Sequence, residues 1–191
     1  MNYAAAYIRS KVKLILPVIL LSLIILYKNY GPTIEFFASA FLMSILIIAS
    51  FLDIERGIIP NCLSFTAIIG GCIIAVYNLF RPFGFYGDRC WWNPVLGIVL
   101  CPVLLLIMSI ICKYLFGINN AIGMGDIKIF IPIGMILGWR LSLTLLMLTI
   151  LFGGVLSIFR ILSKKNRIRK SIPLAPLIAT ATLVLLITFV G

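Results

Sequence analysis

The amino-acid sequence predicts an all-α membrane protein, a polytopic transmembrane helical bundle of about seven spans that forms one integral membrane domain over residues 1–191. Of its 191 residues, 63% are hydrophobic and only 11% are charged, whereas soluble domains are about half apolar and a quarter charged. The mean hydropathy is +1.21. Several apolar runs match the roughly 20 residues with which a helix crosses the hydrocarbon core. These runs do not alternate, which excludes barrel strands.

The predicted spans follow the apolar runs in chain order. The first run comes after Arg9, Lys11 and Lys13, but no small-residue cleavage site follows it. We therefore interpret it as an uncleaved, extra N-terminal span ahead of a core at 31–191, and not as a signal peptide. The seven runs occupy residues 14–30, 33–52, 62–80, 92–116, 127–139, 141–162 and 171–190.

The fifth and sixth runs are separated only by Trp139 and Arg140. Together they hold about 36 residues, a helix of roughly 54 Å at 1.5 Å per residue. That length exceeds a hydrocarbon core about 30 Å thick. The sequence therefore predicts a tight turn at residues 138–140 that separates two spans.

The basic residues predict the orientation of the chain. With a cytoplasmic N-terminus, twelve of the 16 Lys and Arg residues fall on the inner side, and cytoplasmic loops carry such an excess. We predict a multi-pass protein of the cell (inner) membrane. The net charge of +11 then reflects topology and contact of the basic loop 163–170 with anionic lipid, so no nucleic-acid partner is expected. The four outer residues are Lys28, Arg81, Arg89 and Arg140.

The sequence contains no histidine, and no pair of its cysteines has CxxC spacing. These two observations argue against a zinc site, and we predict neither a metal nor a cofactor. The absence of histidine also excludes Ser-His and Cys-His nucleophile pairs. The five cysteines are Cys62, Cys72, Cys90, Cys101 and Cys112.

Only five acidic residues occur: Glu35, Asp53, Glu55, Asp88 and Asp126. Glu35 is predicted in the first turn of the second span, where an acid suits the helix dipole, and Asp88 in an outer turn. Asp53 ends one apolar run and Asp126 opens another, both on the predicted cytoplasmic side. Ionisable groups at membrane depth are costly and tend to be functional.

Asp53 and Asp126 are the candidate catalytic residues of an aspartyl protease. Two neighbouring carboxyl groups share one proton, because both cannot ionise cheaply. The ionised member activates a water, and the protonated member polarises the scissile carbonyl. In a simpler alternative, each aspartate only caps or ends its helix.

Three segments in order resemble the type IV prepilin peptidase family of GxGD aspartyl proteases. They are DIERGIIPN at 53–61, GMGDIK at 123–128 and IPLAPLIA at 172–179. The resemblance covers about residues 40–180 and implies that Asp53 and Asp126 are catalytic. It implies a leader peptidase that cuts the basic leader from prepilin-like proteins at the cytoplasmic face, before the substrate's hydrophobic helix, in type IV pilus or protein secretion systems.

The resemblance also marks supporting residues in the first two segments. Gly123 and Gly125 let the backbone bend and approach a substrate closely, or else form a plain turn into a helix. Pro60 fixes the backbone at the start of the third span, and Asn61 can bond a freed amide nearby. Lys128 lies on a different side of the helix from Asp126, where it meets either lipid headgroups or the site.

In the third segment, Pro173 and Pro176 are expected to shape the wall of the site. Long family members carry a domain with paired CxxC motifs and also methylate their product. This sequence contains no such pairs, so we expect no N-methyltransferase activity. Two other functions stay open: a small ion or solute transporter that uses membrane carboxylates, and an inactive scaffold for pilus assembly.

Overall fold

The computed structural model describes residues 2–80, 83–86, 92–116, 123–162 and 173–189. Every regular element within these ranges is helical, which confirms the predicted all-α class. A short 3₁₀ turn, Gly84–Tyr86, follows the third helix. The helices are α1 (Asn2–Tyr30), α2 (Ile34–Arg56), α3 (Asn61–Phe80), α4 (Trp92–Phe116), α5 (Met124–Leu162) and α6 (Ala175–Phe189).

Four of the helices contain stretches long and apolar enough to cross a membrane: Lys13–Tyr30, Ile34–Arg56, Trp92–Leu115 and Met124–Phe159. Two shorter apolar helices, Asn61–Tyr77 and Ala175–Phe189, accompany them. Large apolar side chains face outward along α1, α3, α4 and the second half of α5, a distribution that suits contact with lipid tails. The chain is therefore a helical membrane protein.

The ends of α2 set the position of Asp53. At the start, the Thr33 side chain caps the helix by accepting a hydrogen bond from the Phe36 amide at 3.4 Å, and Glu35 lies in the first turn as predicted. At the end, Gly57 adopts a left-handed φ of 64°, and its N–H bonds the Asp53 carbonyl at 2.8 Å. Glycine adopts this conformation without the penalty of a Cβ atom, so α2 stops one turn after Asp53.

Helix α5 is interrupted at Gly138, whose φ of 74° and ψ of 175° are not helical. This region of backbone space is almost exclusive to glycine. The hydroxyl of Tyr86 donates a hydrogen bond to the Met135 carbonyl, just before the break. In an uninterrupted helix the Met135 carbonyl would accept a hydrogen bond from the amide of residue 139. The Tyr86 hydroxyl therefore bonds a carbonyl that lies next to the interruption.

The contacts of α4 show that the chain reverses at this break. Before it, Gly138 lies beside Asn93 and Gly134 packs against the backbone of Gly97. After it, Ser142 accepts a hydrogen bond from the Cys101 thiol at 3.4 Å. From Gly138 back to Gly134, the contacted residue on α4 moves from 93 to 97. From Gly138 forward to Ser142, it moves from 93 to 101, which is the same direction along α4. The two halves of α5 therefore run in opposite directions, as the predicted turn at 138–140 requires.

The helices pack around α2 and α5, and α6 contacts both of them. Helix α2 also lies against α1, and α5 also lies against α4 and α3. The most buried side chains include Leu46 of α2, Phe130 of α5 and Ile178 of α6. One end of the bundle is closed by an edge-to-face aromatic cluster, whose members are Tyr30, Phe83, Phe85, Tyr86 and Phe189. Asp53 and Asp126 lie at the other end.

Candidate active site

Asp53 is half-buried in the last turn of α2. Its Oδ2 atom accepts a hydrogen bond from the Ala175 amide at 3.1 Å. Ala175 is the first residue of α6, and its N–H is one of those that a helix leaves unpaired at its start. The positive end of the α6 dipole therefore faces the Asp53 carboxylate, an arrangement that stabilises a negative charge.

Asp126 lies in the first turn of α5 and is only 9% exposed. Its amide donates to the Gly123 carbonyl at 3.1 Å. The Oδ1 atom is buried and has no hydrogen-bond partner among the described residues. Buried polar atoms are nearly always bonded to protein or water, so this oxygen is an unsatisfied acceptor at the start of α5.

The two carboxylates line one cavity of about 300 Å³ at the same end of the bundle. They approach it on separate helices, and the structure thus brings together the two aspartates that the sequence singles out. Both acids therefore border the same space, which has room for several water molecules. Its lining residues are Asp53, Gly57, Ile58, Ile59, Asn61, Gly123, Met124, Gly125, Asp126 and Lys128.

The two glycines of the GMGD segment have different structural roles. A Cβ atom on Gly123 would lie 2.9 Å from Oδ2 of Asp126, so the missing side chain leaves room for the carboxylate. A Cβ atom on Gly125 would lie 3.2 Å from Cβ of Ile59. Gly125 therefore allows the start of α5 to pack closely against the loop after α2. Gly125 also lines the cavity, and its close approach to a substrate stays a prediction.

Asn61 and Lys128 contact each other across the cavity. The Lys128 ammonium donates to Asn61 Oδ1 at 3.0 Å, and both residues line the cavity. Pro60 ends the loop, and its carbonyl accepts from the Leu63 amide at 3.0 Å. The structure differs here from the sequence prediction, because the Asn61 oxygen accepts from a lysine instead of a freed amide. Lys128 faces the site.

Neither Pro173 nor Pro176 lines this cavity. Pro176 instead lines a second, apolar cavity of about 470 Å³ between α1, α2 and α6. The group that reaches the carboxylates from this segment is the backbone amide of Ala175, which the sequence analysis missed. The sequence signal extends only to the helix start, which Pro173 and Pro176 bracket, and does not indicate which carboxylate the first amide meets.

No group of three or more His, Cys, Asp or Glu residues that could hold a metal occurs within the described ranges. Cys101 is buried against Ser142, as a small packing residue would be. The predictions for Asp88, Cys90 and the basic loop 163–170 lie outside the described residues.

Comparison with known proteins agrees with the resemblance noted above. The model of the type IV leader peptidase family matches residues 40–158, a range that includes both aspartates and the segment between them. No solved structure gives a significant match.

Three curated relatives are each called a prepilin leader peptidase/N-methyltransferase. The protein from Aeromonas hydrophila is 28% identical over 144 residues, covering 75% of this chain and 47% of the relative. The protein from Aeromonas salmonicida is 26% identical over 144 residues, covering 75% of this chain and 46% of the relative. The protein from Bacillus subtilis is 26% identical over 155 residues, covering 81% of this chain and 57% of the relative. The chain thus spans about half the length of the curated relatives it matches.

Proposed function

The chain belongs to the type IV leader peptidase family, and from this premise we propose that it is a membrane aspartyl endopeptidase that removes the basic leader from prepilin-like proteins. The observation that carries the proposal is that Asp53 and Asp126 both line the same cavity. Each carboxylate sits at the end of its own helix, so packing of the helices sets their separation. No metal or nucleophilic side chain is needed for hydrolysis by such a pair.

The surroundings of the two aspartates suggest which one is the general base and which one is the general acid. Asp53 is the general base, because the Ala175 amide and the start of α6 stabilise its ionised form. It takes a proton from the water whose oxygen attacks the scissile carbonyl carbon. Asp126 holds the proton that the pair shares and gives it to the leaving nitrogen as the C–N bond breaks. Asp126 lines the same cavity as Asp53, where the leaving nitrogen would lie.

Lys128 and Asn61 form the polar wall of this site. The ammonium of Lys128 brings a positive charge into a cavity that also holds two carboxyl groups. Its hydrogen bond to Asn61 fixes the position of that charge. We assign Lys128 to stabilising the oxyanion that develops on the attacked carbonyl, since fixed cations and donors lower the energy of such a transition state.

The excess of basic residues on the predicted inner side supports an orientation with both aspartates at the cytoplasmic face of the inner membrane. The substrate class is a prepilin-like protein with a basic leader followed by a hydrophobic helix. The core at 31–191 would carry the activity, with the N-terminal span as an addition. The curated relatives are named for two activities; that this chain lacks the N-methyltransferase activity stays a prediction.

The proposal is tested by co-expression of the chain with candidate prepilins and measurement of leader removal. Asp53→Asn and Asp126→Asn keep the side-chain shape and remove the acid, so we expect cleavage to fall by roughly 10³-fold or more. Glu55→Gln is the matched control, because Glu55 is an exposed acid two residues from Asp53 that does not line the cavity.

We expect Glu55→Gln to cleave at the wild-type rate, with all three variants inserted in the membrane at equal levels. Normal cleavage by either aspartate variant would reduce that aspartate to a helix-end residue and reopen the transporter interpretation. The same samples, analysed for methylation of the mature N-terminus, test the absence of methyltransferase activity.

A further inference from the structure

The second cavity, of about 470 Å³, is an apolar groove between α1, α2 and α6. Its walls include Leu21 of α1, Ile47 and Ile54 of α2, and Leu183 of α6. Three hydroxyl side chains also line it, and each bonds a carbonyl of its own helix. These are Ser22, Ser50 and Thr180. With those donors satisfied, the groove offers a ligand almost only apolar contacts.

The groove begins at the candidate active site. On α2 it is lined by Phe51 and Ile54, which flank Asp53 in the chain. On α6 it starts at Pro176, next to the Ala175 amide that bonds Asp53. From Ile54 its α2 wall extends back to Met43, a distance of about 16 Å at 1.5 Å per residue. A helix of roughly 11 residues has the same length.

We propose that this groove binds the hydrophobic helix of the substrate, in the part that directly follows the cleaved bond. The proposal rests on the leader peptidase function. A peptide cut at Asp53 that continues as an apolar helix needs an apolar surface that begins beside Asp53, and the groove meets that requirement on both α2 and α6. Helical geometry follows because backbone groups in lipid must pair within the segment.

The first test fills the groove. Thr180→Trp places an indole in the groove, and Thr180 is exposed, so the larger side chain can be accepted without disturbing the core. Thr144→Trp is the matched control. Thr144 is likewise an exposed threonine whose hydroxyl bonds the carbonyl four residues earlier, but it does not line the groove.

We expect Thr180→Trp to lower kcat/KM for a full prepilin by roughly tenfold or more, chiefly through KM, a loss equivalent to about 1.4 kcal/mol of binding. Thr144→Trp should cleave at the wild-type rate. A wild-type rate for Thr180→Trp would overturn the groove proposal and leave the leader peptidase function intact. If the wild-type chain itself cleaves no prepilin, the proposed function fails first.

The second test does not depend on activity. Thr180→Cys and Thr144→Cys are each combined with Asp126→Asn, so that the substrate is retained, and prepilins with one cysteine in the helix are co-expressed. None of the four cysteines that the structure describes lines the groove. The proposal is supported if oxidation forms disulfides between Cys at position 180 and substrate cysteines that recur with the period of a helix, and forms none with Cys at position 144. No disulfide at 180, as with a lipid chain in the groove, overturns it.

Discussion

The backbones of α4 and α5 approach each other closely at Gly97 and Gly134, and Gly134→Ala tests the contact. A Cβ atom on Gly134 would lie 2.1 Å from the Gly97 carbonyl oxygen and 2.3 Å from its carbon. Both atoms belong to the backbone, so no side-chain rotation can relieve the overlap. An ordinary contact requires about 3.4 Å, and the two helices would have to separate by roughly 1 Å.

Overpacking of this kind costs about 1–3 kcal/mol, and for a chain of this size the unfolding temperature falls by roughly 2–12 °C. The first half of α5 also carries Asp126, so the displacement should lower cleavage. Thermal unfolding in detergent and the prepilin cleavage assay measure the two effects. Gly154→Ala, on the same helix with nothing within 4 Å of the added Cβ, is the control and should be neutral or slightly stabilising.

If Gly134→Ala unfolds at the same temperature as Gly154→Ala, the close approach of α4 and α5 is refuted. If stability falls while the cleavage rate stays at the wild-type value, the two helices meet as described, but the position of α5 does not control the active site.

Two further predictions concern polar contacts at opposite ends of the bundle. Lys128→Met should lower kcat by about tenfold or more, because it removes a fixed charge from the site. Lys113 is an exposed lysine outside the cavity, so Lys113→Met should leave kcat unchanged. Equal kcat values for the two variants would exclude the oxyanion role. Tyr86→Phe leaves the Met135 carbonyl unpaired and should cost about 1–3 kcal/mol. Burial also raises the pKa of Tyr86. The folded state therefore keeps a proton that the unfolded state loses above about pH 10, and wild-type stability should fall there with pH. Tyr86→Phe should lack that component, and parallel pH profiles for the two proteins would contradict it.

The sequence was sufficient for features that depend on length and hydropathy. The turn at 138–140 was predicted because an apolar run about twice the bilayer thickness cannot cross once, and the structure has its break at Gly138. The location of Asp53 and Asp126 at one end of the bundle follows from the same reasoning, because both lie at the ends of apolar runs.

Contacts that depend on how loops fold could not be predicted in this way. Lys128 was expected on another side of α5 from Asp126, yet the loop before α3 brings Asn61 to it. Gly125 was expected to let the backbone approach a substrate closely, and its packing against Ile59 was not foreseen. The Ala175 amide escaped notice because every residue except proline has one, and only the fold determines which amide faces a carboxylate.

Helix α6 has a consequence for how the two acids are held relative to each other. It packs against α2, which carries Asp53, and against α5, which carries Asp126. Its first amide, that of Ala175, bonds the Asp53 carboxylate. The separation of the two carboxyl groups therefore depends on a helix that carries neither of them, and a substitution that displaces α6 disturbs the supports of both acids together.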